Sequence, residues 1–284
     1  MILSEENIEI SGYNLRRHVF HPAKETPIRG SAFLLHGQGD YAGRYGAFLE
    51  PFLQKGIICV GTDFPGHGYS DGKRGHIPGI EIVDQISASN RHRCRELTGA
   101  EDTKLGIIGH SAGGLLALRE ILERPRLYGF SWISSPLLRP EAGQNPVLVR
   151  LAGLIARFYP QLTVSTGVSH DQCSSLPEAH VREGHSNKIH SRISSSWGHT
   201  LIHTARHVRK AFRACPPQIP LLLTQGLRDS ICSPRHLKNL LEGLDIPPLT
   251  LREFPEALHE PFADATGPEV CLAVAQWLEQ ISKA

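Results

Sequence analysis

The chain has 284 residues, of which 40% are hydrophobic and 20% charged, and these values are ordinary for a soluble globular protein. A chain of this length can bury one large core, or one core with an inserted subdomain. The formal net charge of +2 with neutral histidine gives no global case for binding nucleic acid, so we expect no nucleic-acid partner.

The beginning of the chain and the cysteines indicate a cellular compartment. The opening stretch MILSEENIEI lacks a basic start and a long apolar run, so it is not typical of a secretory signal. The most apolar helical stretch, 147–156, is too short to span a bilayer and carries Arg150. The six cysteines are scattered without a C-x-x-C pattern, and several fall in apolar patterns typical of buried free thiols. We therefore expect a soluble, cytoplasmic protein.

Strand-like and helix-like stretches alternate through most of the chain. Residues 6–20 alternate in polarity and predict a leading hairpin with SGYN as its turn. Short apolar runs typical of strands buried on both faces follow, separated by helical patterns. The predicted strands lie at 31–37, 57–63, 104–110, 128–135, 219–226 and 248–254, and the predicted helices at 44–55, 80–97, 111–124 and 267–282. Such alternation indicates an α/β fold with a mostly parallel sheet and helices on both faces, in which ligands bind at the carboxyl ends of the strands.

Residues 137–213 interrupt this alternation. Two stretches there carry apolar residues at helical spacing, with a polar loop between them. The first stripe is at 147, 148, 151, 154, 155 and 158, and the second at 197, 201, 205, 208 and 212. We interpret 137–213 as a helical cap inserted into an α/β core formed by 1–136 and 214–284. Two ordinary core-packing helices are the alternative.

The stretch GHSAGG at 109–114 has the pattern G-x-S-x-G, which arises often enough by chance that its context decides its meaning. Here a predicted strand runs directly into a predicted helix at Ser111. Such an elbow forces strained backbone angles on the serine and requires small neighbours, which Gly109 and Gly113 provide. The pattern favours Ser111 as a nucleophile, and a serine that only caps the helix is the alternative.

A serine nucleophile needs a base within hydrogen-bond reach and an acid that orients the base. His259 and Asp229 each follow a predicted strand, so both are expected at the ligand-binding edge of the sheet. The order Ser–Asp–His along the chain is typical of this architecture. The cap histidines and Asp245 fit these roles less well. Glu256 and Glu260 flank His259 but lie too near it in the sequence to orient it easily. We expect all of these to be solvated side chains.

The oxyanion formed by attack of the serine needs backbone N–H donors. One is expected from Ala112, the residue after the nucleophile. The other is expected from the glycine-containing loop after an earlier strand, where we select Gln38. No cluster of histidines or cysteines has the spacing of a metal site, so we expect neither a metal nor another cofactor.

The whole chain resembles the α/β-hydrolase superfamily, and closely its monoacylglycerol lipase and lysophospholipase branch. The resemblance rests on HGQGDYAGRY, DFPGHGYSDGKRGH, GHSAGG, LTQGLRDSICSP and LHEPF, which occur between residues 36 and 262 in the order and spacing of the family. It implies a Ser111–Asp229–His259 triad, an oxyanion hole at Gln38 and Ala112, and hydrolysis of monoacylglycerols or lysophospholipids through an acyl-enzyme.

The resemblance also has departures. The family often has methionine after the nucleophile, where this chain has Ala112, and often has His-Gly where this chain has Gln225 and Gly226. Both departures bear on acyl preference more than on chemistry. The resemblance further implies that His36 and Gly37 shape the oxyanion loop. A structural role is implied for Asp63, Gly66, His67, Gly68 and Ser70.

Three alternatives remain. The stretch GQGDYA at 37–42, with Asp63 about 20 residues on, has the outline of a dinucleotide-binding fingerprint, although a hairpin precedes its strand. The enzyme could instead cleave small non-lipid esters or peptides, but 138–213 contains ten Arg or Lys against four Asp or Glu, which favours lipid-like substrates over a peptide ammonium group. A non-catalytic binding protein on this scaffold typically lacks a triad residue.

The first cap stripe is the candidate substrate-binding surface. We expect it to line the tunnel for the acyl chain or to touch lipid, and thereby to bring the cap into contact with a membrane surface. Its members are Leu148, Leu151, Leu154, Ile155 and Phe158. No pattern in the sequence predicts an oligomeric state.

Overall fold

A computed structural model of the protein describes residues 1–99, 105–144, 146–176 and 188–283, with Leu148 and Arg150 described by their backbone alone. Its strands are β1 (Ile2–Ile10), β2 (Tyr13–His21), β3 (Gly30–Leu35), β4 (Ile57–Thr62), β5 (Gly106–His110), β6 (Phe130–Ser134), β7 (Thr163–Ser165), β8 (Arg192–Ser194), β9 (Leu221–Gly226) and β10 (Leu249–Phe254). Its α-helices are α1 (Gly46–Gln54), α2 (Ile80–Thr98), α3 (Ala112–Glu123), α4 (Pro146–Phe158), α5 (His170–Cys173), α6 (Ser195–Ala214), α7 (Pro234–Leu241) and α8 (Gly267–Lys283).

Eight of these strands form one sheet in the order β1-β2-β4-β3-β5-β6-β9-β10. The pairs formed by β2 with β1 and β4 are antiparallel, and the pairs from β4 through β10 are parallel. The expected hairpin and the mostly parallel sheet are therefore confirmed. The parallel strands β3, β5, β6 and β9 are buried along their whole length, which explains their short continuous apolar runs.

Helices cover both faces of the sheet, as predicted. On one face α1 and α8 pack against an aromatic cluster that includes Phe48, Phe52 and Trp132. On the other face α2 and α3 pack on the sheet, and α6 packs on α3. The apolar side chains of α6 at 197, 201, 205, 208 and 212 belong to the same core cluster as those of α3. This stripe is therefore part of the core, as in the alternative interpretation of the cap helices.

The segment between β6 and β9 contains α4, β7, α5, β8 and α6, so it interrupts the chain where the cap was predicted. The exact bounds of the cap remain a prediction. Three features within and after it were not predicted, namely the β7–β8 pair, the four-residue helix α5 and α7. Three-residue strands and a four-residue helix are too short to show a period, and α7 has only eight residues, so none of them carries a strong signal. None of the helices in the described ranges combines the length and apolar character needed to cross a membrane.

Candidate active site

The turn between β5 and α3 holds Ser111 in a strained conformation. Its backbone has φ 55° and ψ −119°, a conformation that residues other than glycine rarely adopt. Its N–H donates to the carbonyl of Ser134 at 3.0 Å. A Cβ on Gly113 would lie 1.9 Å from the carbonyl oxygen of Leu35, and one on Gly109 would lie 2.5 Å from the carbonyl oxygen of Gly113. Both glycines are thus required for the chain to pass at this elbow.

Ser111, His259 and Asp229 meet at the carboxyl ends of the strands. The Nε2 atom of His259 lies 3.0 Å from the hydroxyl of Ser111, and its Nδ1 atom lies 2.8 Å from Oδ2 of Asp229. All three residues are buried. The sheet therefore brings together side chains that are up to 148 positions apart in the sequence.

The carboxylate of Asp229 is fixed on both oxygens. The N–H groups of Ile231 and Cys232 each donate to Oδ1 at 2.8 Å, and the side-chain amide of Gln225 donates to Oδ2 at 3.1 Å. Burial alone would raise the pKa of Asp229, but the charge and hydrogen bond of His259, together with the two N–H groups, lower the pKa overall. Gln225, which stands where the family often has His, thus helps to orient the Asp229 carboxylate. The sequence did not reveal this contact.

The pKa of the His259 imidazole is set by two opposing influences. Burial would lower its pKa, but the charge and hydrogen bond of Asp229 outweigh burial and raise the pKa above its ordinary value. The neighbouring ring of His110 lies 4.8 Å away between centroids. Burial and the charge of His259 lower the pKa of His110 to about 3, so His110 stays neutral beside His259 at neutral pH.

Two backbone N–H groups next to Ser111 are candidates for binding an oxyanion. Ala112 opens α3, and an N–H group in the first turn of a helix has no acceptor within the helix. In the other loop, the N–H of Gly37 already donates to the hydroxyl of Tyr45 at 3.2 Å. Gln38 is the next residue and lies with Ser111 on the wall of the cavity described below. The role of both N–H groups remains a prediction.

A family described as serine aminopeptidase S33 matches residues 26–266 of the chain. The chain belongs to this family of hydrolases. The prediction of a serine ester hydrolase of the α/β-hydrolase superfamily, in its monoacylglycerol lipase branch, is confirmed.

Three relatives illustrate the similarity. The crystal structure of Paleococcus ferrophilus monoacylglycerol lipase is 34% identical with a TM-score of 0.82, and covers 95% of this chain and 99% of that one. A monoacylglycerol lipase of Mycolicibacterium smegmatis is 25% identical over 276 residues, which are 95% of this chain and 94% of that protein. An uncharacterised abhydrolase domain-containing protein of Dictyostelium discoideum is 27% identical over 265 residues, and the hydrolase spans 27% of its length.

A buried ionic network joins two loops of the hydrolase beside the triad. The guanidinium of Arg44 donates to Asp40 at 2.9 and 2.6 Å and to Glu260 at 3.0 and 2.7 Å. Burial would raise the pKa of Asp40, but Arg44 lowers it to about 2, and the pKa of Glu260 is lowered in the same way. The expectation that Glu260 is solvated is wrong, since the residue is 6% exposed, and its partner Arg44 lies 216 positions away.

The loops after β3 and β4 of the hydrolase are tied together by Asp63. Its two carboxylate oxygens accept the N–H groups of Ala42 at 2.8 Å and Tyr69 at 3.0 Å, and Ser70 donates to its carbonyl at 2.7 Å. The fully buried Asp63 is therefore committed to these loops, so it is not placed to hold the ribose of a dinucleotide.

Among the described residues, Asp229, Cys232 and His259 form a group whose potential ligand atoms lie within 4.8 Å of one another. The fold brings these three residues together, and their spacing in the sequence does not match that of a metal-binding motif. The ring of His259 faces Asp229 on one side and Ser111 on the other. Burial raises the pKa of the Cys232 thiol, which keeps it protonated at neutral pH. The arrangement fits a hydrogen-bonded triad better than a metal site.

A cavity of about 850 Å³ opens from the triad of the hydrolase towards the cap. Ser111 and His259 lie at its base beside the polar groups of Asp40, Arg44 and Glu260. Its cap wall includes Val149, Ala152, Ile155, Leu162, Val164 and Ile202. The cavity thus combines the ionic groups of Asp40, Arg44 and Glu260 with apolar side chains of the cap, which alternate there with polar ones such as Thr166 and His199.

The predicted substrate-binding stripe divides between two surfaces. Ile155 lines the cavity. Leu151, Leu154 and Phe158 are exposed on the outer side of α4, with Leu154 57% and Phe158 65% accessible. The side chain of Leu148 lies outside the described residues.

Proposed function

We propose that the protein hydrolyses monoacylglycerols through an acyl-enzyme on Ser111. One observation carries this proposal. The hydrogen-bonded chain Ser111–His259–Asp229, with distances of 3.0 and 2.8 Å, lines a cavity that holds ionic groups beside Ser111 and apolar side chains on its cap wall. A glycerol head group matches the ionic groups, and an acyl chain matches the apolar side chains.

The proposed reaction follows from the positions of these side chains. Ser111 attacks the ester carbonyl while Nε2 of His259 takes the hydroxyl proton, and Asp229 stabilises the resulting imidazolium. The N–H groups of Gln38 and Ala112 bind the oxyanion of the tetrahedral intermediate. His259 then gives its proton to the departing glycerol oxygen, and water releases the fatty acid by the reverse sequence.

The charges around the cavity favour an acyl ester over a peptide. An aminopeptidase needs a free carboxylate to hold the substrate ammonium group. Among the described residues that line the cavity, the acidic ones are Asp40 and Glu260, and both are bound by Arg44. The excess of Arg and Lys over Asp and Glu in 138–213 acts in the same direction.

The proposal is tested by initial rates on 1-monoacylglycerols from octanoyl to oleoyl, on lysophosphatidylcholine with the same acyl groups, and on an alanyl anilide. We expect kcat/KM for the long monoacylglycerols to exceed that for the other classes by about tenfold or more, because polar and apolar ends are both matched. A fluorophosphonate should label the wild type and not Ser111→Ala. Preference for the lysolipid or the anilide would contradict the substrate, and turnover by Ser111→Ala would contradict the mechanism.

We also propose that the outer face of α4 contacts a lipid surface. Apolar side chains stand exposed there and just after the helix, at Val147, Leu151, Leu154, Phe158 and Tyr159. Exposed apolar side chains at positions 147, 151, 154 and 158 share one face of α4, and such a face is unfavourable in water and favourable at a membrane interface. The free state of all six cysteines supports the cytoplasmic location expected from the sequence.

The double substitution Leu154→Ser with Phe158→Ser should weaken binding to anionic phospholipid vesicles by about tenfold, since two large apolar side chains leave the interface. Vesicle co-sedimentation measures the effect. The matched control is Leu272→Ser in α8, because Leu272 is similarly exposed but lies in the α/β core and outside the cap. Turnover of a soluble acetyl ester should stay unchanged in both. Equal binding by wild type and the double variant would contradict the lipid contact.

A further inference from the structure

The side chain of Gln38 is bound by the cap. Its Oε1 atom accepts the indole N–H of Trp197 at 2.9 Å, and its Nε2 atom donates to the carbonyl of Arg192 at 2.8 Å. We refer to these two hydrogen bonds as the Gln38–cap contacts. They join positions 159 and 154 residues apart, so no local pattern in the sequence indicates them.

We propose that the Gln38–cap contacts position the oxyanion hole, which makes Trp197 a positioning residue for catalysis. This inference rests on the proposed function, in which the backbone N–H of Gln38 binds the oxyanion. A side chain whose amide oxygen and amide nitrogen are both hydrogen-bonded restrains the peptide group that carries it.

The peptide of Gln38 needs such support. Glycine lies on both sides of it, at Gly37 and Gly39, and glycine allows the widest range of backbone rotation. The N–H of Gly37 donates to the hydroxyl of Tyr45 at 3.2 Å. Gln38 therefore carries the next N–H group of this loop. Without its side-chain contacts, Gln38 would be held only through these two glycines, whose backbone groups bond to Tyr45 and His190.

The backbone of the cap also packs directly on this loop. The N–H of His190 donates to the carbonyl of Gly39 at 2.8 Å. Gly39 has φ +77°, and a Cβ there would lie 1.9 Å from the carbonyl oxygen of His190. The close approach brings the following residues of β8 within reach of the Gln38 amide.

The partner of Gln38 is itself firmly anchored. Trp197 is 1% exposed and belongs to the main core cluster. The Ser194 hydroxyl caps its N–H at 3.3 Å, and the N–H of Ser194 donates to the carbonyl of Gly75 at 2.8 Å. The indole N–H is thus a fixed reference point from which the loop after β3 can be positioned.

The test is Trp197→Phe, which retains an aromatic ring and removes the N–H donor. With p-nitrophenyl acetate, whose acyl group needs little of the cap wall, we expect kcat to fall about tenfold with KM nearly unchanged. Complete loss of one oxyanion donor costs about a hundredfold to a thousandfold, and a displaced donor costs less. The matched control is Trp132→Phe, which removes a buried indole hydrogen bond to the Thr224 hydroxyl at 3.0 Å and should leave kcat unchanged.

A second measurement separates positioning from stability. A trifluoromethyl ketone forms an oxyanion with the nucleophile, so its inhibition constant should rise about tenfold in Trp197→Phe, while affinity for a fatty alcohol, which carries no oxyanion, stays unchanged. Gln38→Ala removes both contacts and keeps the backbone N–H, so its loss of kcat should be at least as large as that of Trp197→Phe, and combining the two substitutions should not increase it further. Wild-type kcat and inhibition in either variant, additive losses, or an equal loss in Trp132→Phe would overturn the inference. Failure of the proposed function is detected separately by turnover in Ser111→Ala.

Discussion

Replacing Asp229 with Asn should lower kcat by about four orders of magnitude, as expected for a triad of this kind. The N–H groups of Ile231 and Cys232 would keep the amide oxygen at the position of Oδ1. The amide NH₂ would then face Nδ1 of His259, which would have to accept a hydrogen bond. The proton would move to Nε2, and the imidazole could no longer accept the proton of Ser111.

The same variant should change the pH dependence. The proposed mechanism needs neutral His259, so wild-type kcat/KM should rise with pH through a pKa that Asp229 raises above its ordinary value. In Asp229→Asn the raising charge is gone and burial remains, so the acidic limb should move to lower pH. Rates on a soluble ester across the acidic range measure this shift.

The matched control is Asp245→Asn, since Asp245 is exposed in the loop before β10 and contributes nothing to the triad. It should leave both kcat and the acidic limb unchanged. The free energy of unfolding of Asp229→Asn should fall by only about 1–2 kcal/mol, because the NH₂ faces the Gln225 donor while the two N–H bonds persist. Near wild-type turnover, or an unmoved limb, would show that another group orients His259.

The alternation of strands and helices could be predicted from the sequence, and so could the identity of the side chains that follow each strand. The G-x-S-x-G elbow selected Ser111, and because parallel strands end at one edge, position after a strand selected Asp229 and His259 from many candidates. The glycines at 109 and 113 were predictable because a sharp strand-to-helix turn has strict steric limits.

The contacts that support the site could not be predicted in the same way. Arg44 meets Glu260 across 216 positions, and Gln38 meets Trp197 across 159, so each pair depends on how whole layers pack. A charged residue beside the histidine looks solvated unless its distant partner is known. Similarly, the apolar stripe of α4 predicted an apolar surface, but not which of its residues line the cavity.

Replacing Arg44 with Met should destabilise the protein by about 3–5 kcal/mol at neutral pH, because Asp40 and Glu260 would remain buried without their cation. In the wild type, Arg44 lowers the pKa of both carboxyls, so their stabilisation is present above the unfolded pKa values and is lost as pH falls through the folded ones. In the variant, burial would raise both pKa values, so both groups would take up protons more readily. The deficit relative to wild type should therefore shrink on acidification, which urea unfolding at neutral and mildly acidic pH measures.

The control for this prediction is Arg228→Met, which breaks an exposed ion pair with Glu256 and should change the free energy of unfolding by less than about 1 kcal/mol. A further comparison separates charge from packing. If buried charge causes the loss, then adding Asp40→Asn and Glu260→Gln to Arg44→Met should restore much of the stability, since no uncompensated charge remains. Turnover should be low in both Arg44→Met and the triple variant, because the loop of Asp40 and the residue next to His259 would no longer be joined through Arg44. Stability that stays low in the triple variant would mean that the size and shape of the Arg44 side chain, rather than its charge, hold these two loops together.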